Sequence, residues 1–357
     1  MWEMNVKKKL SIGIAFIIVI SFFLISCSKS EEVSVIMQKE PELIKEEKEG
    51  SDLLAWMVYW DAENGKNELL NSKGINKVCY FAAYFNESNQ LILPDEIDEL
   101  KKKINLDKNQ NELIEYLTIV NDKVLSNGKS SLKDQNLLEE LLKNETTRNQ
   151  HIDDIISLAK ANGYEGLEID YERIRKNYDL WALFIDFIIE LNARCENEGL
   201  KLRIVLEPTT PFDKAEFPEG PEYVMMCYNL HGTHNDPGPK ADFEFIENLI
   251  KDMKTIQGDK NFALATGGFD WSSDGKVTAL TEEQAFSLLN ESGSNVQRDA
   301  GSGSLNYKYS DKSDILHEVW FADDITLNGW IKTIEENGTF GISIWRLGGN
   351  VNISTIV

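Results

Sequence analysis

From about residue 51 onward, two rhythms of apolar and polar positions alternate along the chain. Short runs dense in Val, Ile, Leu, Tyr, Phe and Trp give way to longer stretches in which apolar residues recur every three or four positions. The first rhythm predicts strands and the second amphipathic helices. Eight strands are expected, over 54–60, 77–84, 116–121, 166–171, 201–206, 223–228, 262–266 and 341–345. Helices are expected over 63–72, 95–104, the pair 132–142 and 149–161, then 180–197, 241–253 and 282–289, with 324–335 before the last strand. After the fifth strand only the short segment 211–217 is available to bridge to the next. Strands alternating with helices in this way predict an α/β fold, a parallel sheet closed as a TIM-type (β/α)8 barrel. The competing open, doubly wound sheet lacks support, because no glycine-rich phosphate loop opens the first helix. The alternation breaks over 293–322, where 305–309 and 315–321 flank Ser310–Asp314 and predict a hairpin inserted after the seventh strand.

One strand carries unusual chemistry. In Tyr164-Glu165-Gly166-Leu167-Glu168-Ile169-Asp170-Tyr171-Glu172, three carboxylates sit two residues apart between Leu167, Ile169 and Tyr171. A strand of period two puts the acids on one face and the apolar residues on the other. Like charges so close raise one another's pKa, so that one acid holds its proton beside another that stays ionised. That division of labour is what cleavage of a glycosidic bond requires. A solvated acidic edge strand is the plainer alternative, but its apolar face is too complete for an edge.

The N-terminus sets an address. Lys7, Lys8 and Lys9 precede an unbroken apolar run from Ile14 to Ile20, extended by Phe22, Phe23, Leu24 and Ile25, which meets Ser26-Cys27. A basic head, a short apolar core and a small residue before the cut describe a secretory signal over residues 1–26. Leu24-Ile25-Ser26-Cys27 resembles the lipobox of bacterial lipoproteins, which implies a lipid-modified Cys27 and an extracytoplasmic protein tethered to the cell membrane. Residues 27–50, rich in Glu, Lys and Ser, are expected to be a flexible stalk, and 51–357 the folded barrel.

Charge and cysteine usage narrow the partners. A net charge of −23 speaks against nucleic acid, whose phosphates need basic patches. Besides Cys27 there remain Cys79, Cys195 and Cys227, too scattered for a disulfide framework or a zinc site and better read as buried thiols. His151, His231, His234 and His317 show no ligand spacing with them. No metal is expected, and the chain is expected to act as a monomer. Polar and aromatic residues also cluster at predicted strand ends: Asp61, Asn121-Asp122, Glu172, Glu207, Tyr228-Asn229, Asp270-Trp271 and Trp345-Arg346. In a barrel such ends converge on one mouth.

The stretch Glu165 to Glu172 resembles the active-site strand of glycoside hydrolase family 18, the chitinases, endo-β-N-acetylglucosaminidases and related spore and cell-wall hydrolases, whose pattern is Asp-Gly-x-Asp-x-Asp-x-Glu. Met226-Cys227-Tyr228-Asn229 resembles the family's sixth-strand motif, and Gly341-Ile342-Ser343-Ile344-Trp345 its eighth-strand tryptophan. Glu165 and Glu168 stand where the family usually has Asp, each one methylene longer. The resemblance implies substrate-assisted, retaining cleavage of β-1,4 linkages in N-acetylglucosamine-containing glycans such as chitin, peptidoglycan or the N-glycan core. It makes Glu172 the general acid, Asp170 the residue that orients the substrate acetamide, and Tyr228 its hydrogen-bond donor. Trp345 would floor the bound sugar, with Glu168, Asn229 and Glu207 around it, and no cofactor is implied. Two other readings keep the same residues: a barrel that binds glycan without cutting it, and an oxygen-ligand metal site on Glu168, Asp170 and Glu172.

Overall fold

In the computed structural model, residues 53–72, 74–107 and 113–356 are described. The signal, the stalk and Cys27 lie outside the described residues.

Eight parallel strands form the frame: β1 (Leu53–Val58), β2 (Ile75–Asn86), β3 (Ile114–Val124), β4 (Gly166–Asp170), β5 (Lys201–Leu206), β6 (Glu222–Met226), β7 (Lys260–Ala265) and β8 (Gly341–Trp345). Each pairs with the next, and β8 pairs back onto β1 through Leu53↔Ile342, so the sheet closes. This is the expected (β/α)8 barrel. Side-chain alternation divides it into two cores. Leu54, Trp56, Cys79, Tyr116, Val205, Val224, Met226, Tyr228, Ala263 and Ala265 fill the interior. Their neighbours, among them Leu53, Ala55, Leu167, Ile169 and Tyr171, pack outward beneath the helices. The period-two reading of the acidic strand therefore holds: its apolar face meets the helices and its acids face the barrel axis.

The helices follow the expected order: α1 (Ala62–Asn71), α2 (Asp95–Asp107), α3 (Gln135–Leu142), α4 (Glu145–Ala161), α5 (Tyr178–Glu198) and α6 (Phe243–Met253). Side-chain caps fix several starts, each worth about 1 kcal/mol. Asp134 accepts from Leu137 N–H at 3.1 Å, and Asn144 from Thr147 N–H at 3.0 Å. No helix bridges β5 and β6; the segment 211–217 is irregular, with a turn over 212–214. Cys79, Cys195 and Cys227 are buried free thiols. Among the described residues no helix is long and apolar enough to cross a membrane.

The insertion is larger than a hairpin. Leu305–Ser310 and Leu316–Ala322 do pair antiparallel, but within a five-stranded sheet that also holds Gly267–Ser272, Val277–Leu280 and Gln297–Arg298. Helix α7 (Glu282–Ser292) packs on it through Ala285 against Leu305, Tyr307, Val319 and Phe321. Gly267 and Gly268 begin the strand Gly267–Ser272. A Cβ at Gly268 would lie 1.8 Å from the Trp320 carbonyl oxygen, so only glycine lets the two strands approach. Helix α8 (Asp324–Asn337) then returns the chain to β8.

Candidate active site

The barrel interior is best followed from its floor to its mouth. At the floor, Glu168 of β4 is fully buried. Trp56 Nε1 donates to it at 2.6 Å, Thr118 Oγ1 at 2.7 Å and Arg203 Nε at 2.9 Å. Arg203 also donates to Ser343 Oγ at 3.0 Å and to Glu222. Ser343 donates to Asn261 Oδ1 at 2.6 Å, and Asn261 Nδ2 donates to Glu222 at 3.2 Å. Every barrel strand contributes a side chain to this network, β2 through Cys79, whose thiol hydrogen-bonds Glu168. A buried carboxylate held by an indole, a hydroxyl and a guanidinium is a structural anchor. Glu168 was expected among the substrate-contacting residues; it lies sealed beneath the site. Glu165 is further away still, on the far side of the strand start, accepting from Glu115 N–H at 2.7 Å.

Two residues along β4 the situation reverses. Asp170 is also buried, but its Oδ1 has no hydrogen-bond partner. Burial, then the charges of Glu172 and Glu168, push its carboxyl well above the usual carboxylate range. Tyr228, just past the end of β6, is buried too, and burial followed by the charge of Asp170 raises its phenol. A phenol held protonated keeps its O–H available as a hydrogen-bond donor.

Glu172 lies just beyond β4, where the loop is held from two sides. Its N–H donates to Asn121 Oδ1 at 3.0 Å, and Asn121 Nδ2 donates back to its carbonyl at 3.1 Å. The next residue, Arg173, is left-handed at φ 63°, and its N–H donates to Glu207 Oε2 at 2.6 Å. Burial raises the Glu172 carboxyl, the ion pair with Lys133 pulls it back, and Glu207 and Asp122 raise it again.

Two cavities open at the mouth. One, of about 310 Å³, is lined by Trp345, Arg346, Asp61, Lys240 and Thr281. Trp345 meets Trp56 edge-on at 5.8 Å and Phe81 at 4.9 Å, which fixes its ring as a wall. Asp61 and Arg346 pair at 2.7 Å across the closure of the barrel. The other cavity, of about 510 Å³, is lined by Glu172, Glu207, Asn229, Lys133, Arg175 and Met226. The expected mouth residues are thus brought together with two differences. Glu168 belongs to the floor. Asp270 and Trp271 belong to the inserted sheet, where Tyr309 OH donates to Asp270 at 2.9 Å, His317 Nδ1 lies 2.9 Å from it, and Trp271 Nε1 donates to the Gly232 and Asn235 carbonyls at 3.2 Å. Several contributors were not anticipated, among them Trp56, Thr118 and Arg203, which hold Glu168, and Lys133, which falls inside the helix expected over 132–142. Among the described residues no three His, Cys, Asp or Glu side chains converge on a metal site.

Comparison with known proteins agrees with this geometry. The model of "Glycosyl hydrolases family 18" matches residues 55–350, from inside β1 to past β8. The uncharacterized glycosylase YvbX of Bacillus subtilis is 24% identical over 242 residues, covering 63% of this chain and 70% of that protein. The cortical fragment-lytic enzyme of Bacillus subtilis is 25% identical over 233 residues, covering 58% of this chain and about half (52%) of that protein. Among solved structures, the Bacillus cereus spore cortex-lytic enzyme SleL superposes with a TM-score of 0.69 at 18% identity, covering 86% of this chain and 73% of that one. A class V chitinase from Nicotiana tobaccum, in complex with NAG4, gives 0.69 at 14% identity over 86% and 97%. Those two structures speak for the barrel, whereas the family match runs through every strand that carries the site: the chain belongs to glycosyl hydrolase family 18 and is a glycosidase.

Proposed function

We propose that this glycosidase cleaves β-1,4 linkages of N-acetylglucosamine-containing glycans, peptidoglycan foremost, by substrate-assisted catalysis with retention. The observation that carries the reading is Asp170, buried, unpartnered at Oδ1 and flanked by Glu172 and Tyr228. A bare buried carboxylate is expensive unless a ligand completes it. The N–H of a substrate 2-acetamido group is a fitting donor. Tyr228 OH then donates to the acetamide oxygen and aims it at the anomeric carbon. Glu172 gives its proton to the glycosidic oxygen as the C1–O bond breaks, while the acetamide oxygen forms a bond to C1 and yields an oxazolinium ion. Asp170 offsets the positive charge on the nitrogen. Water, deprotonated by Glu172, opens the ring and restores both the acid and the acetamide. Trp345 supplies the apolar floor under the reacting sugar. Holding the acetamide in line is an effective-molarity gain of up to about 7–11 kcal/mol in ideal cases.

Peptidoglycan is favoured because two relatives are named as spore cortex or cortical-fragment lytic enzymes. An extracytoplasmic position, with Cys27 lipidated on a short stalk, would place a monomeric catalytic barrel beside the wall. The mechanism is tested by incubating the protein with a 2-fluoro glycoside and, separately, with a thiazoline mimic of the oxazolinium. Competitive inhibition by the thiazoline and no covalent adduct are expected. A stable glycosyl adduct on Glu207, seen by intact mass, would replace the acetamide with an enzyme nucleophile. A digest of chitin, peptidoglycan and N-glycan core read by mass spectrometry ranks the substrates.

A further inference from the structure

Lys133 is the cation paired with the Glu172 carboxylate, and it is held there by its backbone. It is left-handed at φ 56°, and its N–H donates to Asp122 Oδ1 at 2.7 Å. The following residue, Asp134, donates its N–H to the Asn121 carbonyl at 2.8 Å. The same Asn121 carries the Glu172 backbone. One strand end thus positions both partners of the ion pair. Yet an ion pair on a general acid is counterproductive, because it favours the ionised carboxylate over the proton donor. The lysine side chain is one-third exposed, so water screens the pair and the lysine can leave cheaply.

Something should draw it away, and the surroundings indicate what. Arg175, left-handed and exposed, lines the same cavity and has no ion-pair partner among the described residues. Glu207 is the opposing charge, with one oxygen engaged by the Arg173 N–H. Once Glu172 carries its proton, the cavity lining presents Lys133 and Arg175 against one remaining lining carboxylate, Glu207, while Asp122 is engaged by the Lys133 N–H. In a chain of net charge −23, a locally cationic pocket beside the general acid is a selective feature. Trp345 does not line this cavity, so with the cleaved sugar over Trp345 the leaving sugar occupies it.

We propose that Lys133 is a specificity-determining residue that exchanges the Glu172 carboxylate for a carboxylate on the leaving-group sugar, with Arg175 as the second cation, so that the acid is freed when an anionic glycan binds. This rests on the hydrolase reading above. A neutral glycan leaves Lys133 on Glu172 and is a poorer substrate. The groups facing Glu172 are Lys133, Glu207, Asp122 and Asp170.

The test uses a β-1,4 tetrasaccharide of N-acetylglucosamine in which alternate sugars carry a lactyl ether, supplied as the free acid and as its methyl ester. Wild-type kcat/KM is expected to be about tenfold or more higher for the acid. In Lys133→Met that ratio falls to near one. The alkaline limb of the kcat/KM profile also moves to higher pH, since Glu172 keeps its proton longer without the neighbouring cation. Lys133→Arg restores part of the ratio, which a packing role would not predict. Equal hydrolysis of acid and ester by the wild type would overturn the proposal and leave the hydrolase reading standing. If neither is cut, the hydrolase reading fails, and calorimetry on the same pair still decides: tighter binding of the acid supports the carboxylate pocket, and equal binding removes it.

Discussion

Glu168 and Asp170 are two residues apart on one strand, both buried and both acidic, and the molecule treats them oppositely. Around Glu168 the indole of Trp56, the hydroxyl of Thr118 and the guanidinium of Arg203 converge, and each oxygen is satisfied. Around Asp170 the donors are missing, and burial with neighbouring negative charge drives the carboxyl toward its protonated form. The same side-chain chemistry is thus stabilising at the floor and poised at the mouth. The difference lies in the partners delivered by other strands. A carboxylate whose hydrogen bonds are complete has nothing left to offer a substrate, whereas one left incomplete is finished by it.

The largest expected effect breaks the floor. Glu168→Leu leaves Arg203 with Glu222 and Ser343 only and orphans the Trp56 and Thr118 donors. Stability should fall by about 3–5 kcal/mol, measured by urea denaturation. A loss below about 1 kcal/mol would mean that the floor network is dispensable. Next comes the mouth. Glu172→Gln keeps shape and one hydrogen bond but cannot deliver a proton. Turnover should drop by at least ~10² while glycan binding persists and stability stays within about 1 kcal/mol of wild type. Near-normal turnover would remove Glu172 from its role.

This contrast was only half legible in the sequence. The alternation of Leu167, Ile169 and Tyr171 with the acids is local, so the inward face could be read directly, and the bounds of β5 and β8 coincide with those expected. The partners of Glu168 are 112, 50 and 35 residues distant, and no spacing rule reaches them. Lys133 was hidden for a different reason. It sits immediately before the Asp134 cap, so periodicity merged it into α3, while its position depends on a left-handed turn tied to Asp122 eleven residues earlier. The inserted sheet was underestimated because Val277–Leu280 and Gln297–Arg298 are short and largely exposed, and their pairing is set by neighbours rather than by their own pattern. The close strand approach at Gly267 and Gly268 depends on the opposing carbonyls of Leu280 and Trp320, which no local pattern announces.

A smaller effect sharpens the view of the mouth. Tyr228→Phe removes one hydroxyl and leaves the ring packed with Met226 and Val224. If the phenol aims the acetamide, kcat should fall ~10–100-fold with little change in stability. An unchanged rate would reduce the sixth-strand motif to packing.

The smallest effect is the most direct measure of the contrast, because it reverses the sign seen at Glu168. Asp170 has a folded-state pKa above its unfolded value of about 3.9. Below that pH both states hold the proton, and the residue contributes its full stability. As pH rises, the unfolded chain releases the proton first and the folded protein is left with a disfavoured charge or a retained proton, so stability declines toward the folded pKa. Asp170→Asn has no proton to release. It should therefore match wild type near pH 3.5 and be more stable at pH 7, by about 1–2 kcal/mol. Denaturant midpoints at the two pH values read this directly. A D170N variant less stable than wild type at both would show that the mouth carboxylate is a structural anchor like Glu168, and the division between floor and mouth would dissolve. Stabilisation that appears only at the higher pH would show that the fold tolerates Asp170 at a cost to its own stability.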